Sequence, residues 1–200
     1  MYKATPPEVS SEAFYETDPT KDYKRGFSIQ CVGPLPITWA EHVVAEGHWG
    51  DVLREYMRDY VHWATLGVLC EFLPLPENRV TLADERDRHG LPVARFSYSQ
   101  CDNDRKLMDA GQAKMTEILE AAGAEDAVTI KRYAHLVGGC RMGFSREDGV
   151  VDRDLRSFAV PNLYVTDGSV LPTQGSANPA LTIMALAARC GDHLTSANRG

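Results

Sequence analysis

Two short stretches of this 200-residue sequence carry side chains suited to chemistry. In RYAHLVGGCRMG, Arg132 to Gly143, a single histidine stands before a glycine pair that is followed by Cys140, Arg141 and Met142. An imidazole changes charge near neutral pH, so His135 can act as a general base, and it can equally be an ordinary structural histidine. In GSVLPTQGSANP, Gly168 to Pro179, small residues lead up to Asn178 and Pro179. Asn is a preferred N-cap and Pro a preferred first helical residue, so a helix is expected to start here. Its free N–H groups and positive dipole end would face whatever the loop surrounds; Asn178 can also be a cap and nothing more.

Asp167 ends the apolar run VPNLYVTD. At the end of a buried strand a carboxylate can hold a ribose-like or ribityl hydroxyl, or it can close an Asx-turn. Ser169 lacks the G-x-S-x-G frame of a nucleophile elbow. Cys140, flanked by glycine and Arg141, is read as a small buried filler in preference to a nucleophile. Met142 is read as packing, Arg141 as the anchor of a turn or carbonyl, and Glu71, an acid within CEFLP, as a salt-bridged rim residue rather than a group reaching a cavity. A hydrolase built on Ser169 or Cys140 is the weakest reading, and no G-x-G-x-x-G occurs in the chain.

The elements that must position these residues follow from periodicity. Residues 1–24, punctuated by Pro6, Pro7 and Pro19, read as an extended arm. GFSIQCVGP then alternates around Phe27, Ile29 and Cys31, a strand stopped by Gly33 and Pro34. Trp39 to Trp63 is helix-like, with Val52, Tyr56, Tyr60 and Trp63 on one side. Three antiparallel strands are expected at Leu66 to Phe72, Arg79 to Leu82 and Pro92 to Tyr98, with PEN and DERDRHG as the turns. After Asp102 a long helix carries Met108, Gly111, Met115, Ile118 and Ala122 at three- or four-residue spacing and stops at Gly123. VPNLYVTD reads as a buried strand, and ALTIMALAARCGDHL, apolar on nearly all sides, as a buried helix.

Composition narrows the function classes. With 44% hydrophobic and 24% charged residues the chain can bury a core, and a net charge of −7 argues against coating nucleic acid or an anionic membrane. Five cysteines without a C-x-x-C pair do not suggest a disulfide framework or a zinc site. The absence of an apolar leader and of a long apolar run predicts a cytoplasmic protein with no membrane span.

Taken in order, HLVGGCRMG and GVVDRDLRSFAVPNLYVTDGSVLPTQGSANPALTIMALAARCGDHL, within a match that spans His135 to Ser196, closely resemble the C-terminal end of the glucose-methanol-choline (GMC) flavoprotein oxidoreductases. The middle, CEFLPLPENRVTL through PVARFSYSQCDND, resembles that family's substrate domain, particularly in its pyranose oxidase-like and gluconate or sorbose dehydrogenase-like branches. The resemblance implies FAD and the oxidation of an alcohol or sugar CH–OH group. His135 would take the hydroxyl proton while hydride moves to flavin N5, and Asn178 would bond the substrate oxygen. Asp167 and Gly168 would approach the FAD chain, while Asn178, Pro179, Ala180 and Thr182 would lie against the isoalloxazine, with the helix dipole aimed at its pyrimidine end.

The G-x-G-x-x-G unit of complete members has no counterpart here. The expected organisation is therefore an α+β substrate domain over 25–155, an antiparallel sheet with helices on one side, followed by the last strand and helix of an incomplete Rossmann-like FAD domain over 156–200. A complementary chain carrying the missing half is the expected partner beside the small-molecule substrate, and the chain alone is expected to be inactive. The alternative is a non-catalytic fragment or partner subunit of the same fold.

Overall fold

The computed structural model describes residues 10–31, 35–125, 129 and 133–197. The first nine residues of the expected arm, and the Gly33 and Pro34 expected to stop the first strand, lie outside the described residues. The arm contributes a two-residue strand, β1 (Ser10–Ser11), against β2 (Phe27–Cys31). Successive side chains of a strand point to opposite faces, so the alternation in FSIQC sends Phe27 and Ile29 into a core and Ser28 and Gln30 the other way.

Two short helices follow, α1 (Pro36–Ala45) and α2 (Asp51–Asp59), the second extended by a 3₁₀ turn at Tyr60–His62. The helix-like pattern is interrupted because Gly47 and Gly50 take φ values of +87° and +63°, open to glycine and closed to a helix. Trp39 packs both helices together: its ring centroid lies 4.7 Å from that of Trp63, and its indole N–H donates to the Tyr56 carbonyl at 3.3 Å.

β3 (Leu66–Cys70) pairs antiparallel with β2, with Ile29 opposite Val68. β4 (Arg79–Arg86) and β5 (Pro92–Ser97) form a separate two-stranded hairpin. One run of three neighbouring strands was therefore the wrong pairing. Pro74 and Pro76 lie between β3 and β4, and proline cannot donate to a ladder, so the chain leaves the first sheet and starts another. The hairpin turn uses the expected residues: the Asp87 carboxylate accepts from the N–H groups of His89 and Leu91, and Gly90 takes φ +77°.

α3 (Asp102–Ala121) covers the apolar face of β2 and β3, placing fully buried Leu107 against Phe27 and Ile29. Truncating such a leucine to alanine costs about 2–5 kcal/mol. Gly111 lets the helix approach the sheet, since a Cβ there would sit 2.7 Å from Val68 Cγ2. Gly123, at φ +84°, ends the helix as expected.

A second core gathers Val151, Leu155, Val170 and Cys190, the last from α4 (Ala180–Ala197). Two expectations need correction here. VPNLYVTD is no strand: it opens on a turn, the Leu163 N–H donating to the Val160 carbonyl at 3.0 Å, and carries one isolated bridge, Arg156 to Tyr164. Its backbone is used up by the loop before it: Leu163 accepts from Ser157, and the Val165 N–H donates to Leu155. Nor is α4 buried. Leu186, Cys190 and Leu194 face the core, while Leu181 (77% exposed) and Met184 (61% exposed) face outward, because no described element covers that side. The fold is small and α+β, with antiparallel sheets and helices. No described helix is long and apolar enough to cross a membrane.

Candidate active site

His135 takes φ +56°, a left-handed conformation that non-glycine residues adopt at a cost of about 1–2 kcal/mol. The chain that follows is laid against residues 168–171. Cys140 N–H donates to the Ser169 carbonyl at 2.9 Å and Met142 N–H to the Val170 carbonyl at 2.8 Å. Gly138 turns the chain at φ +88°, where a Cβ would stand 3.6 Å from the Leu171 carbonyl oxygen.

Beyond it, Arg141 Nε donates to the Asp148 carbonyl at 2.7 Å, the anchoring role expected of it. This closes a loop whose two sides meet through glycines: a Cβ on Gly149 would lie 2.5 Å from the Gly143 nitrogen. Met142 packs on the second core. Cys140 is half-buried rather than fully enclosed.

Asp167 is exposed and closes an Asx-type turn, its Oδ1 accepting from Ser169 N–H at 2.8 Å. The Ser169 hydroxyl and then its backbone N–H hold the carboxyl below its ordinary range. Gly168, next in the chain, is the meeting point of the site. A Cβ there would lie 3.1 Å from Ile183 Cδ1 of α4 and 3.8 Å from both the Leu136 carbonyl oxygen and Val137 Cγ1. The His135 loop, the Asp167 turn and the second turn of α4 thus converge on one glycine.

The helix begins one residue later than expected. Ile183 N–H makes the first rung to the Pro179 carbonyl at 3.0 Å, so buried Pro179 occupies the cap position and Asn178 precedes it. The N–H groups of Ala180, Leu181 and Thr182 precede that rung and have no intrahelical acceptor, and all three residues are exposed. Exposed Asn178 is not capping: its Nδ2 donates to Gln30 Oε1 at 3.4 Å.

The loop before Asn178 is fastened to β2 by groups that sequence reading missed. Ser28 Oγ donates to the Ser176 carbonyl, and Ser176 Oγ donates to the Gly26 carbonyl at 3.0 Å. Gly175, at φ +70°, passes close to the Tyr15 hydroxyl. The available signal was the polar half of the alternation, Gly26, Ser28 and Gln30, on the face opposite the apolar residues that define the strand. Glu71, buried at its rim, pairs with Arg25 at 3.5 Å, the salt-bridged role expected for it. Among the described residues no group of three His, Cys, Asp or Glu side chains could hold a metal ion.

A family model described as GMC oxidoreductase matches residues 74–187. The chain is 34% identical over 195 residues to 2-methyl-1,2-propanediol dehydrogenase of Mycolicibacterium austroafricanum, covering 92% of this chain and 35% of that protein. It is 30% identical over 143 residues to the fructose dehydrogenase large subunit of Gluconobacter japonicus, covering 70% and 26%. With paromamine 6'-oxidase of Streptomyces fradiae the identity is 34% over 121 residues, covering 58% and 22%. The chain spans about a third or less of the length of these relatives.

Proposed function

Because the chain belongs to the GMC oxidoreductase family, we propose that it is the C-terminal catalytic part of an FAD-dependent oxidoreductase acting on the CH–OH group of an alcohol or sugar. The observation that carries this reading is the convergence on Gly168 of the His135 loop, the Asp167 turn and α4. The names of the relatives, a diol dehydrogenase, a fructose dehydrogenase subunit and a paromamine oxidase, support the substrate class.

The residues present fit a flavin. Gly168 lets the His135 loop and α4 pack closely, since a Cβ there would lie 3.1 Å from Ile183 Cδ1, and the first turn of α4 beside it offers exposed residues whose N–H groups stand at its positive end. Asp167 and Gly168 would hold the ribityl side, and Asn178, Pro179, Ala180 and Thr182 would line the ring. When bound, FAD supplies the hydride acceptor. His135 would take the hydroxyl proton on an imidazole nitrogen, the role of a general base. Asn178 holds the substrate oxygen with a neutral amide, which steadies developing negative charge without competing for the proton.

In this reading, residues 156–200 are the last segment of a Rossmann-like FAD domain. The outward faces of Leu181 and Met184 then belong against a complementary part that carries the G-x-G-x-x-G unit. The test is co-expression with such a part, followed by flavin absorbance and dye reduction over a panel of alcohols and sugars. Substrate-dependent reduction lost in His135→Ala is expected. A co-purified pair without flavin overturns the reading and leaves the alternative, a non-catalytic subunit docking through the same exposed face.

A further inference from the structure

The loop that ends in Asn178 is held by one face of one strand. β2 alternates, so Phe27 and Ile29 enter the core with Leu107, and Gly26, Ser28 and Gln30 line up along the opposite side. Each of these three meets the loop. The Gly26 carbonyl accepts from Ser176 Oγ, Ser28 Oγ donates to the Ser176 carbonyl, and the Gln30 side-chain oxygen accepts from the Asn178 amide. The first two contacts bind backbone and are buried, which sets the path of the chain. The third binds the side chain itself.

We propose that Gln30 is a positioning residue for Asn178, setting which end of its amide faces β2. This rests on the oxidoreductase reading for its consequence and on the hydrogen bond for its existence. An Asn side chain has two N–H donors and one carbonyl acceptor, and its two ends are nearly the same shape. An exposed amide without a partner samples both orientations. With one N–H held by Gln30 Oε1, the second N–H and the carbonyl Oδ1 have no bond to another described residue and are presented in a fixed order. A substrate oxygen then meets the same group at each encounter, and no reorientation is needed as charge develops on that oxygen. Ser28 and Ser176 serve the arrangement by holding the backbone, so that a 3.4 Å contact between two flexible side chains persists.

The decisive experiment compares Gln30→Leu and Gln30→Glu, following the two Asn178 side-chain N–H signals by nitrogen-15 NMR on the 200-residue chain. The signals are identified by their disappearance in Asn178→Ala. Gln30→Leu removes the acceptor and should move the bonded Asn178 proton to the position of a free primary amide, narrowing the difference between the two protons to that which slow rotation about the C–N bond alone maintains. Gln30→Glu offers only acceptors, so it should preserve or enlarge the difference. Asn178 signals unchanged in Gln30→Leu overturn the proposal. So does the same narrowing in Gln30→Glu, which would mean that Asn178 presents its carbonyl to Gln30. Should Gln30→Leu fail to fold, as judged by the backbone signal of Leu107, the Gln30→Glu spectrum decides alone by the same criterion.

In the flavin-loaded enzyme, loss of one such hydrogen bond should lower kcat about fivefold with little change in KM, and Gln30→Glu should recover most of it. Gln30→Leu should have no further effect in an Asn178→Ala background. An additive effect there overturns the positioning role. The NMR result does not depend on flavin or turnover. Normal turnover of Asn178→Ala beside a confirmed amide contact therefore removes the oxidoreductase role of Asn178, not its coupling to Gln30.

Discussion

Ser28 and Ser176 lie 148 positions apart and are buried against each other, the Ser28 hydroxyl donating to the Ser176 carbonyl while the Ser176 hydroxyl donates to Gly26. The two bonds are not equivalent. Gly26 also accepts from Glu71 N–H at 3.0 Å, so its carbonyl keeps a partner if Ser176 is truncated. Ser28→Ala instead removes the hydroxyl that serves the Ser176 carbonyl in a buried place. Urea denaturation should show Ser28→Ala destabilised by about 1–3 kcal/mol and Ser176→Ala by about 0.5–1.5 kcal/mol. Equal effects would count against this account.

Gly111 in the middle of α3 should resist a substitution that helix propensity favours. Alanine is better than glycine in a helix by about 1 kcal/mol. Here its Cβ would meet Val68 Cγ2 at 2.7 Å, and overpacking costs about 1–3 kcal/mol. Gly111→Ala should therefore lower the denaturation midpoint, and adding Val68→Ala, which removes the obstructing methyls, should recover part of the loss. Simple additivity of the two changes would show that the contact is unimportant.

His135 joins a strained backbone to the proposed base. His135→Ala keeps the strain and removes the imidazole; His135→Gly removes both. In thermal unfolding the glycine variant should be about 1 kcal/mol more stable than the alanine variant. In the flavin-loaded enzyme both should lose about 10²–10⁴-fold in turnover, the range for a missing general base. Turnover within a few-fold of the parent would remove His135 from the mechanism.

Cys70 should be inert in the folded protein. Burial, and secondarily the Asp104 carboxylate, push its thiol up to about 12 from an ordinary 9.0. In the native chain at pH 8 it should escape iodoacetamide and react once the chain is unfolded, read by mass spectrometry of the modified peptides. The shift also sets a sign for stability. Above pH 9 the unfolded chain releases this proton while the folded chain keeps it. The contribution is thus full below pH 9 and declines as pH rises toward about 12, and Cys70→Ala should flatten that decline.

Asp167 titrates in the opposite sense. Its carboxyl is held below the ordinary range by the Ser169 hydroxyl and N–H, so its stabilising contribution is present above the unfolded value and lost as pH falls through the folded one. Ser169→Ala removes the hydroxyl and keeps the N–H. A carbon-13 titration of the Asp167 carboxyl should then move upward, part of the way to the ordinary value. No movement would mean that the backbone bond alone sets it.

Local patterns were read well from the sequence because their causes are local. The three- and four-residue spacing after Asp102 gives α3, and Gly123 ends it because its φ of +84° suits glycine. The turn of the β4–β5 hairpin follows from Asp87 and Gly90. Long-range pairing was not legible in the same way. The stretch Leu66–Cys70 has strand character whatever its neighbour, and alternation says which face a residue takes, not which strand lies beside it. Its partner is β2, nearly forty residues earlier, because the prolines that follow prevent pairing with β4.

What the sequence by itself determined was the set of chemical groups, the family to which their order belongs, and the places where helices and turns begin and end. These depend on side-chain type and on backbone preferences acting over a few residues. Only the tertiary structure decided that Gly168 is the point on which the His135 loop and α4 converge, that Asn178 turns to Gln30 instead of capping its helix, and that no described element covers one side of α4. The physical reason is common to all three. Each depends on which distant surfaces pack together, and a polar side chain such as Gln30 shows nothing in sequence of the partner that its hydrogen bond will find.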